Sequence, residues 1–474
     1  MASPSTVPIH SPPQLHSFQA KVVRISGLLA TASALLFVRT WRPDLLYIWV
    51  LCIILLSLII KMYLSANPPI YLVDFSCLKP PGHCRVPFAA FLENAAAFNV
   101  FQKDSIDFMS KVLHSSGTSE ETYLPPPLHY IPPKTGHDDS ISEVHMLLLP
   151  IIEDLLSKTK ISPRDIGILI VNCSGFCPTP SLTSIIVNKF HLRSDIKTYN
   201  VSGMGCSAGT LAVDMAQHLL KVHRNTNALI LSSEILSTGW YSGDLKPMLL
   251  LNCLFRMGSA AILLSNKPSA QHSAKYKLRQ TLRSHFASND DAYHIVFREE
   301  DAKGITGVML NRESLKVAEH VIRTHVTAVS ASILPLSEKL RHVFSLAMRK
   351  YLGKTWSVYV PNFKAVVQHY CLPTSGKMVI KEIGKGLKLG EAEMEAALMT
   401  FRRFGNQSAS ALWYELAYVE GKERVKQGDR VWQLGMGSGT KCNSVIWECI
   451  RPIKDQAQYG PWAGCIDKYP VSAD

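Results

Sequence analysis

An α/β fold class is predicted by three features of the sequence. Short apolar runs of strand length recur along it, helix-spaced apolar segments alternate with them, and 474 residues are enough for two packed lobes. After a polar, proline-containing start, Ile25 to Val38 is mostly apolar but short. Leu45 to Ile60 then runs sixteen positions without a charge, and Met62-Tyr63-Leu64 extends it toward the roughly twenty residues that span a bilayer. A two-pass transmembrane hairpin is the expectation, with both termini in the cytosol. Asn67-Pro68-Pro69 and Lys79-Pro80-Pro81-Gly82 end it as connecting segments, because proline does not continue a helix.

The globular part begins there. Ser142 to Leu156 has helical spacing, Ile166 to Val171 reads as a buried strand, and Leu211 to Leu220 reads as a helix. Ala228 to Ser233 and Ala260 to Ser265 are further strands. Beyond Ser284 the alternation resumes, with a helix-like Phe363 to His369, a helix over Gly390 to Arg402, and strands at Arg430 to Leu434 and Cys442 to Ile450. Gly435-Met436-Gly437-Ser438-Gly439 lacks the lysine and spacing of a phosphate loop, so it reads as a tight turn or a surface close to substrate.

A net charge of +13 comes from dispersed basic residues with no nucleic-acid motif, which argues against nucleic acid. An anionic membrane surface and phosphate-bearing thioesters suit that charge better. The eleven cysteines are scattered and odd in number, consistent with a reducing compartment. Cys173 and Cys177 stand four apart, but no second pair of metal-site spacing accompanies them.

One cysteine stands out. Val201-Ser202-Gly203-Met204-Gly205-Cys206-Ser207-Ala208-Gly209-Thr210 sets Cys206 among small residues, between a β-rich run and a helix. A helix N-terminus would favour the reactive thiolate, and the glycines allow a sharp turn. A buried structural cysteine remains the other reading of this pattern alone.

With these segments placed, the chain resembles the plant 3-ketoacyl-CoA synthases of membrane-bound fatty-acid elongation. The resemblance rests on Gly203-Met204-Gly205-Cys206-Ser207-Ala208-Gly209, Asn252-Cys253-Leu254-Phe255-Arg256-Met257-Gly258, Arg403-Phe404-Gly405-Asn406 and Trp413-Tyr414-Glu415-Leu416-Ala417-Tyr418. Gly428-Asp429-Arg430-Val431-Trp432 and Gly437 to Ser444 complete it. It implies a thiolase-like fold of two similar five-layered α/β halves, here 67–280 and 281–474, preceded by the membrane anchor in 1–66. It implies an acyltransferase with no tightly bound cofactor and no metal. Cys206 would take a long acyl chain from acyl-CoA, and malonyl-CoA would lose CO₂ and attack that thioester. The resemblance further implies a homo- or heterodimer within an elongase complex, on the endoplasmic reticulum membrane, with the catalytic region facing the cytosol.

The family supplies a histidine and an asparagine as donors to the enolate oxygen. Asn406 matches the asparagine, and His285 and His369 match two further family histidines. The catalytic histidine position is occupied by Pro373, in His369-Tyr370-Cys371-Leu372-Pro373-Thr374-Ser375-Gly376, and another family histidine is Arg402. Proline neither donates to an enolate nor takes a proton, and arginine stays charged. An extended segment would hold His369 about 13 Å from position 373; a helical turn would bring it within about 6 Å. Two functions follow as expectations: an active or weakly active 3-ketoacyl-CoA synthase, or a noncatalytic relative that pairs with an active synthase.

Overall fold

A computed structural model describes residues 44–66, 68–310, 314–353 and 359–471. The chain divides into two compact units, Met1–Pro68 and Pro69–Asp474. In the first, Asp44–Ala66 forms one helix, while the apolar run 25–38 lies outside the described residues. No helix among the described residues is long and apolar enough to cross a membrane, so the expected hairpin is not shown.

The second unit is built on a nine-stranded sheet. Its strands are β1 (Tyr71–Cys77), β2 (Ile166–Asn172), β3 (Lys197–Val201), β4 (Asn227–Ser233), β5 (Ser259–Ser265), β6 (Tyr276–His285), β9 (His369–Cys371), β10 (Arg430–Gly437) and β11 (Lys441–Cys449). A separate hairpin holds β7 (Val296–Glu300) and β8 (Thr306–Leu310). The sheet order is β3-β2-β4-β5-β1-β6-β11-β10-β9. β2, β4 and β5 are almost wholly buried, and their continuous apolar runs are what a sheet covered on both faces requires.

The order conceals a repeat. Along β2-β4-β5-β1 the pairings run parallel, antiparallel, antiparallel. Along β9-β10-β11-β6 they run the same way. Among the described residues, the strands of the two leaves pair where Tyr71 and Leu72 of β1 meet Lys277 and Tyr276 of β6. β3 adds a fifth strand to the first leaf, and the second leaf has four. The helix Ala208–Val222 touches β2 and β4 of one leaf and β6, β10 and β11 of the other; Ala411–Gly421 likewise touches β1, β5, β9 and β10. Both helices therefore form a middle layer between the leaves. Outside lie His137–Thr159 against β1 and β5, and Glu391–Phe404 against β9.

The middle layer is tight. A Cβ on Gly209 would sit 2.3 Å from the Ala409 carbonyl oxygen, so the first turns of the two central helices approach through glycine alone. One expectation is corrected here: Phe363 to His369 is not a helix. A short 3-10 turn, Phe363–Ala365, leads into β9, because the parallel ladder to β10 claims His369, Tyr370 and Cys371.

Candidate functional site

The site lies where the two central helices begin. Cys206 occupies the 3-10 turn Gly205–Ser207, which runs directly into Ala208–Val222. Gly203 (φ +68°) and Gly205 (φ +59°) make the turn in the left-handed region. A Cβ at Gly205 would meet the Ser438 amide nitrogen at 2.6 Å, and one at Gly437 the Met204 carbonyl oxygen at 2.2 Å. The glycine-rich stretch is thus the end of β10 and its turn into β11, packed onto the cysteine turn. Ser438 Oγ donates to the Gly203 carbonyl across that contact, at 3.1 Å.

Asn406 arrives at the same place from the other half. It precedes the 3-10 turn Ser408–Ser410, which enters Ala411–Gly421 as the cysteine turn enters its own helix. The motif Asn252–Gly258 clamps it: Asn406 N donates to the Leu254 carbonyl and Arg256 N to the Asn406 carbonyl, both at 2.9 Å. Arg256 is buried, and its guanidinium donates to the Asn252 and Phe255 carbonyls and to Thr122 Oγ1, so a cation here serves structure.

Asn406 and Ser408 stand beside Cys206, and their polar groups each act to lower its pKa. Ser408 Oγ also lies 3.2 Å from Glu234 Oε2, as a donor, and Asn406 Oδ1 accepts from Ser408 N at 2.8 Å. A hydroxyl has one proton, so Ser408 serves the thiol or the carboxylate at any moment. Glu234, at the end of β4, accepts from Gly175 N at 2.7 Å and Ser174 N at 3.1 Å. Ser174 Oγ in turn accepts from Gly205 N at 2.9 Å, which ties the carboxylate cluster to the cysteine turn.

Two opposing influences act on the thiol: the helix start beside it favours the thiolate, and burial disfavours it. Burial pushes Cys206 up to about 11; the Ser408 hydrogen bond opposes this, the Glu234 charge adds to it, and the Asn406 hydrogen bond opposes it again. Ser438 and Gly437 pack on one side of the turn, and Cys206 is half-buried there.

The remaining predicted residues are dispersed. His369 begins β9 and pairs through Nε2 with Asp429 Oδ2 at 2.9 Å. It lies opposite Val431, whereas the cysteine turn packs on Gly435 and Gly437, four to six residues further along β10. At strand rise that is about 13–20 Å, so the extended alternative holds and the ring does not reach the thiol. His285 is exposed at the end of β6, opposite Lys441; burial together with the Lys441 and Arg283 charges lowers its pKa. Among the described residues its ring has no hydrogen-bonding partner. Arg402 is half-buried, and its carbonyl accepts from Ser119 N at 2.8 Å. Pro373 is buried two residues past β9, and continuing the β9–β10 register sets it level with Gly435. A Cβ on Gly435 would lie 3.3 Å from Ser207 Cα. The residue that should be histidine therefore stands at the level of the cysteine turn.

Glu234, Ser408 and Ser174 escaped the sequence reading. One signal was available: Glu234 is a lone acid directly after an uncharged, buried strand, a placement that costs free energy unless a site uses it. Nearby, Trp240 follows Glu234 by six residues and walls an apolar cavity with Phe91, Phe98, Phe101, Leu124 and Leu128. Its volume is about 20 Å³, room for a water molecule. Among the described residues no cluster of metal-ligating side chains occurs.

Residues 62–351 match the family described as FAE1/Type III polyketide synthase-like protein, and residues 364–449 match the 3-Oxoacyl-[acyl-carrier-protein (ACP)] synthase III C-terminal family. Among known proteins, 3-ketoacyl-CoA synthase 6 of Arabidopsis thaliana is 47% identical over 409 residues, covering 86% of this chain and 82% of the relative. 3-ketoacyl-CoA synthase 9 of the same plant is 41% identical over 470 residues, covering 97% and 91%. Among solved structures, a fungal type III polyketide synthase, ORAS, superposes with a TM-score of 0.62 at 14% identity, over 80% of this chain and 99% of that one. The 1,3,6,8-tetrahydroxynaphthalene synthase of Streptomyces coelicolor gives 0.59 at 17%, over 80% and 99%. The thiolase-like α/β fold is thereby shown.

Proposed function

Since the chain belongs to the 3-ketoacyl-CoA synthase family, we propose that it condenses malonyl-CoA with a long-chain acyl-CoA through an acyl-Cys206 intermediate, in very-long-chain fatty-acid elongation. The observation that carries this reading is the convergence of Cys206 with Asn406 and Ser408 at the start of the two central helices. The Cys206 thiolate attacks the thioester carbonyl of acyl-CoA, CoA leaves as a thiolate and takes up a proton, and the acyl chain stays on sulfur. Malonyl-CoA then loses CO₂, and its enolate carbon attacks the acyl carbonyl. The C–S bond to Cys206 breaks, returning the thiolate and releasing a 3-ketoacyl-CoA two carbons longer. Asn406 supplies a donor for the enolate oxygen, a contribution of about 10²- to 10³-fold in rate.

The family relationship favours the synthase over the noncatalytic partner. Pro373 nonetheless removes one donor and one base, so we expect slow wild-type turnover. Membrane anchoring through the N-terminal segment, residence in the endoplasmic reticulum with the catalytic unit facing the cytosol, and pairing with other elongase synthases belong to the same reading. In support, Tyr47, Ile48, Val50, Leu51, Ile53, Ile54, Leu55 and Leu58 of the helix Asp44–Ala66 are all exposed.

The test is microsomal protein supplied with labelled malonyl-CoA and a series of saturated acyl-CoAs. Labelled 3-ketoacyl product from wild type, absent from Cys206→Ala, supports the reading. Product formation that survives Cys206→Ala refutes it.

A further inference from the structure

The helix Leu336–Leu352 is turned inside out. Its inward face is polar: Glu338 Oε2 accepts from Tyr359 OH at 2.9 Å and Asn362 N at 2.8 Å, His342 Nδ1 meets the Tyr359 carbonyl at 2.7 Å, and Ser345 Oγ accepts from Tyr359 N at 2.9 Å. Its outward face is apolar. Leu336, Leu340, Val343, Phe344 and Tyr351 are all exposed, Phe344 at 62% and Tyr351 at 82%. At 3.6 residues per turn these five fall within an arc of about 100°. A helix on a water-facing surface has the opposite arrangement, and a contiguous exposed apolar stripe marks a binding surface.

Charge selects the occupant. Lys339 and Lys350 flank one side of the stripe; on the other, Arg341 pairs at 3.2 Å with Glu338, the only acid of the helix, whose second oxygen is bonded inward. The face presented outward is therefore apolar at its centre and cationic along its Lys339–Lys350 margin. That pattern fits a surface with acyl chains beneath anionic headgroups, and the cationic margin would repel a second copy of the same face. The helix hangs from the catalytic unit by firm attachments. Leu334-Pro335 join it to Ser314–Ile333, whose buried His325 bonds Ser284 of β6 and Ser444 of β11 at 2.8 Å each.

We propose that Leu336–Leu352 is an in-plane membrane-docking helix that beds Leu340, Val343, Phe344 and Tyr351 in an anionic phospholipid surface. It would hold the catalytic unit against the bilayer that stores its acyl substrates, independently of the N-terminal anchor.

The experiment is site-specific photocrosslinking of the full chain in lipid nanodiscs. Phe344→p-benzoylphenylalanine is compared with the same substitution at Tyr459, an exposed aromatic residue elsewhere on the unit. Discs contain phosphatidylcholine alone or with phosphatidylserine. The expected result is a phospholipid adduct at position 344 but not 459, increased by phosphatidylserine and reduced by salt. Replacing Lys350 by Gln should lower the adduct in anionic discs by about fivefold. Absence of a lipid adduct above the Tyr459 control, or an adduct with protein instead, overturns the proposal. Should crosslinking at Phe344 fail because the variant misfolds, the same crosslinker at Leu340 repeats the comparison. Co-migration of the chain with the discs reports on the N-terminal anchor separately, so failure of the anchor and failure of this helix are distinguishable.

Discussion

Restoring a histidine at position 373 is the most informative single change. In the native chain, burial holds the Cys206 thiol at about 11, which leaves on the order of one molecule in 10⁴ as thiolate at pH 7. Paired with an imidazolium, a cysteine thiol falls to about 7 or below, so the thiolate fraction rises by roughly 10³- to 10⁴-fold. Intrinsic nucleophilicity falls with the pKa, by about 40- to 100-fold over four units at a Brønsted slope of 0.4–0.5. The net expectation is a gain on the order of 10²-fold in the rate at which Cys206 attacks a disulfide. The assay is reaction of the full chain with an aromatic disulfide at pH 7, with Cys206 modification followed by peptide mass so that exposed Cys52 and Cys177 do not contribute. Condensation of labelled malonyl-CoA should rise in parallel, because a second enolate donor is restored. If Pro373→His folds with an unchanged melting midpoint and the Cys206 rate does not move, position 373 does not face the thiol, and the register argument fails.

Four further outcomes follow from the same geometry. Asn406→Ala should lower condensation by about 10²- to 10³-fold while an acyl-Cys206 adduct still forms, read by intact mass; equal loss of both steps would argue against the enolate role. Ser408→Ala removes a hydrogen bond that stabilises the Cys206 thiolate, so the disulfide rate should fall, and an increase would show that Ser408 serves only Glu234. Gly209→Ala places a methyl 2.3 Å from the Ala409 carbonyl and should cost roughly 1–3 kcal/mol by thermal melting; an unchanged midpoint would mean that the central layer is looser than described. Burial lowers buried His325 to about 4, below its free value near 6.5. Its contribution is therefore complete above about pH 6.5 and is lost as pH falls toward 4, by about 3 kcal/mol in all. His325→Gln should flatten that acid limb of the stability curve, and an unaltered limb would assign it to other groups.

The sequence was most informative where a single physical requirement dominates. β2, β4 and β5 are buried on both faces, so their apolar runs were readable within one or two residues. The helix Ala208–Val222 was readable from its apolar spacing. β6 was missed because its pattern is dominated by partly exposed and exposed positions, with Arg279, Arg283 and His285 carrying charge or polarity outward. β9 was not assigned, and its first residue, His369, fell at the end of an expected helix, because three residues carry too little periodicity and only the ladder to β10 makes them a strand. Within the site, Cys206 and Asn406 could be found by motif, but the pKa of the thiol could not. It depends on Glu234 and on packing by Gly437 and Ser438, which are distant in sequence and adjacent only after folding.

The repeat in the fold explains why the loss at position 373 is specific. Cys206 and Asn406 occupy equivalent places, each in a loop entering a central helix, and each helix is flanked by a parallel strand pair whose ends face the loops. In the first half the residue two past β2 is Ser174, which accepts from the Gly205 amide and donates its own amide to Glu234. In the second half the residue two past β9 is Pro373, which has no N–H and no polar side-chain atom. The first half thus retains a complete set of groups around the nucleophile, whereas the second retains the asparagine and lacks the base. Acyl transfer onto sulfur uses the first set and loses thiolate stabilisation at position 373, whereas the malonyl-derived enolate loses a donor and the base together. A site built this way should accumulate acyl-enzyme and be slow in the carbon–carbon bond-forming step.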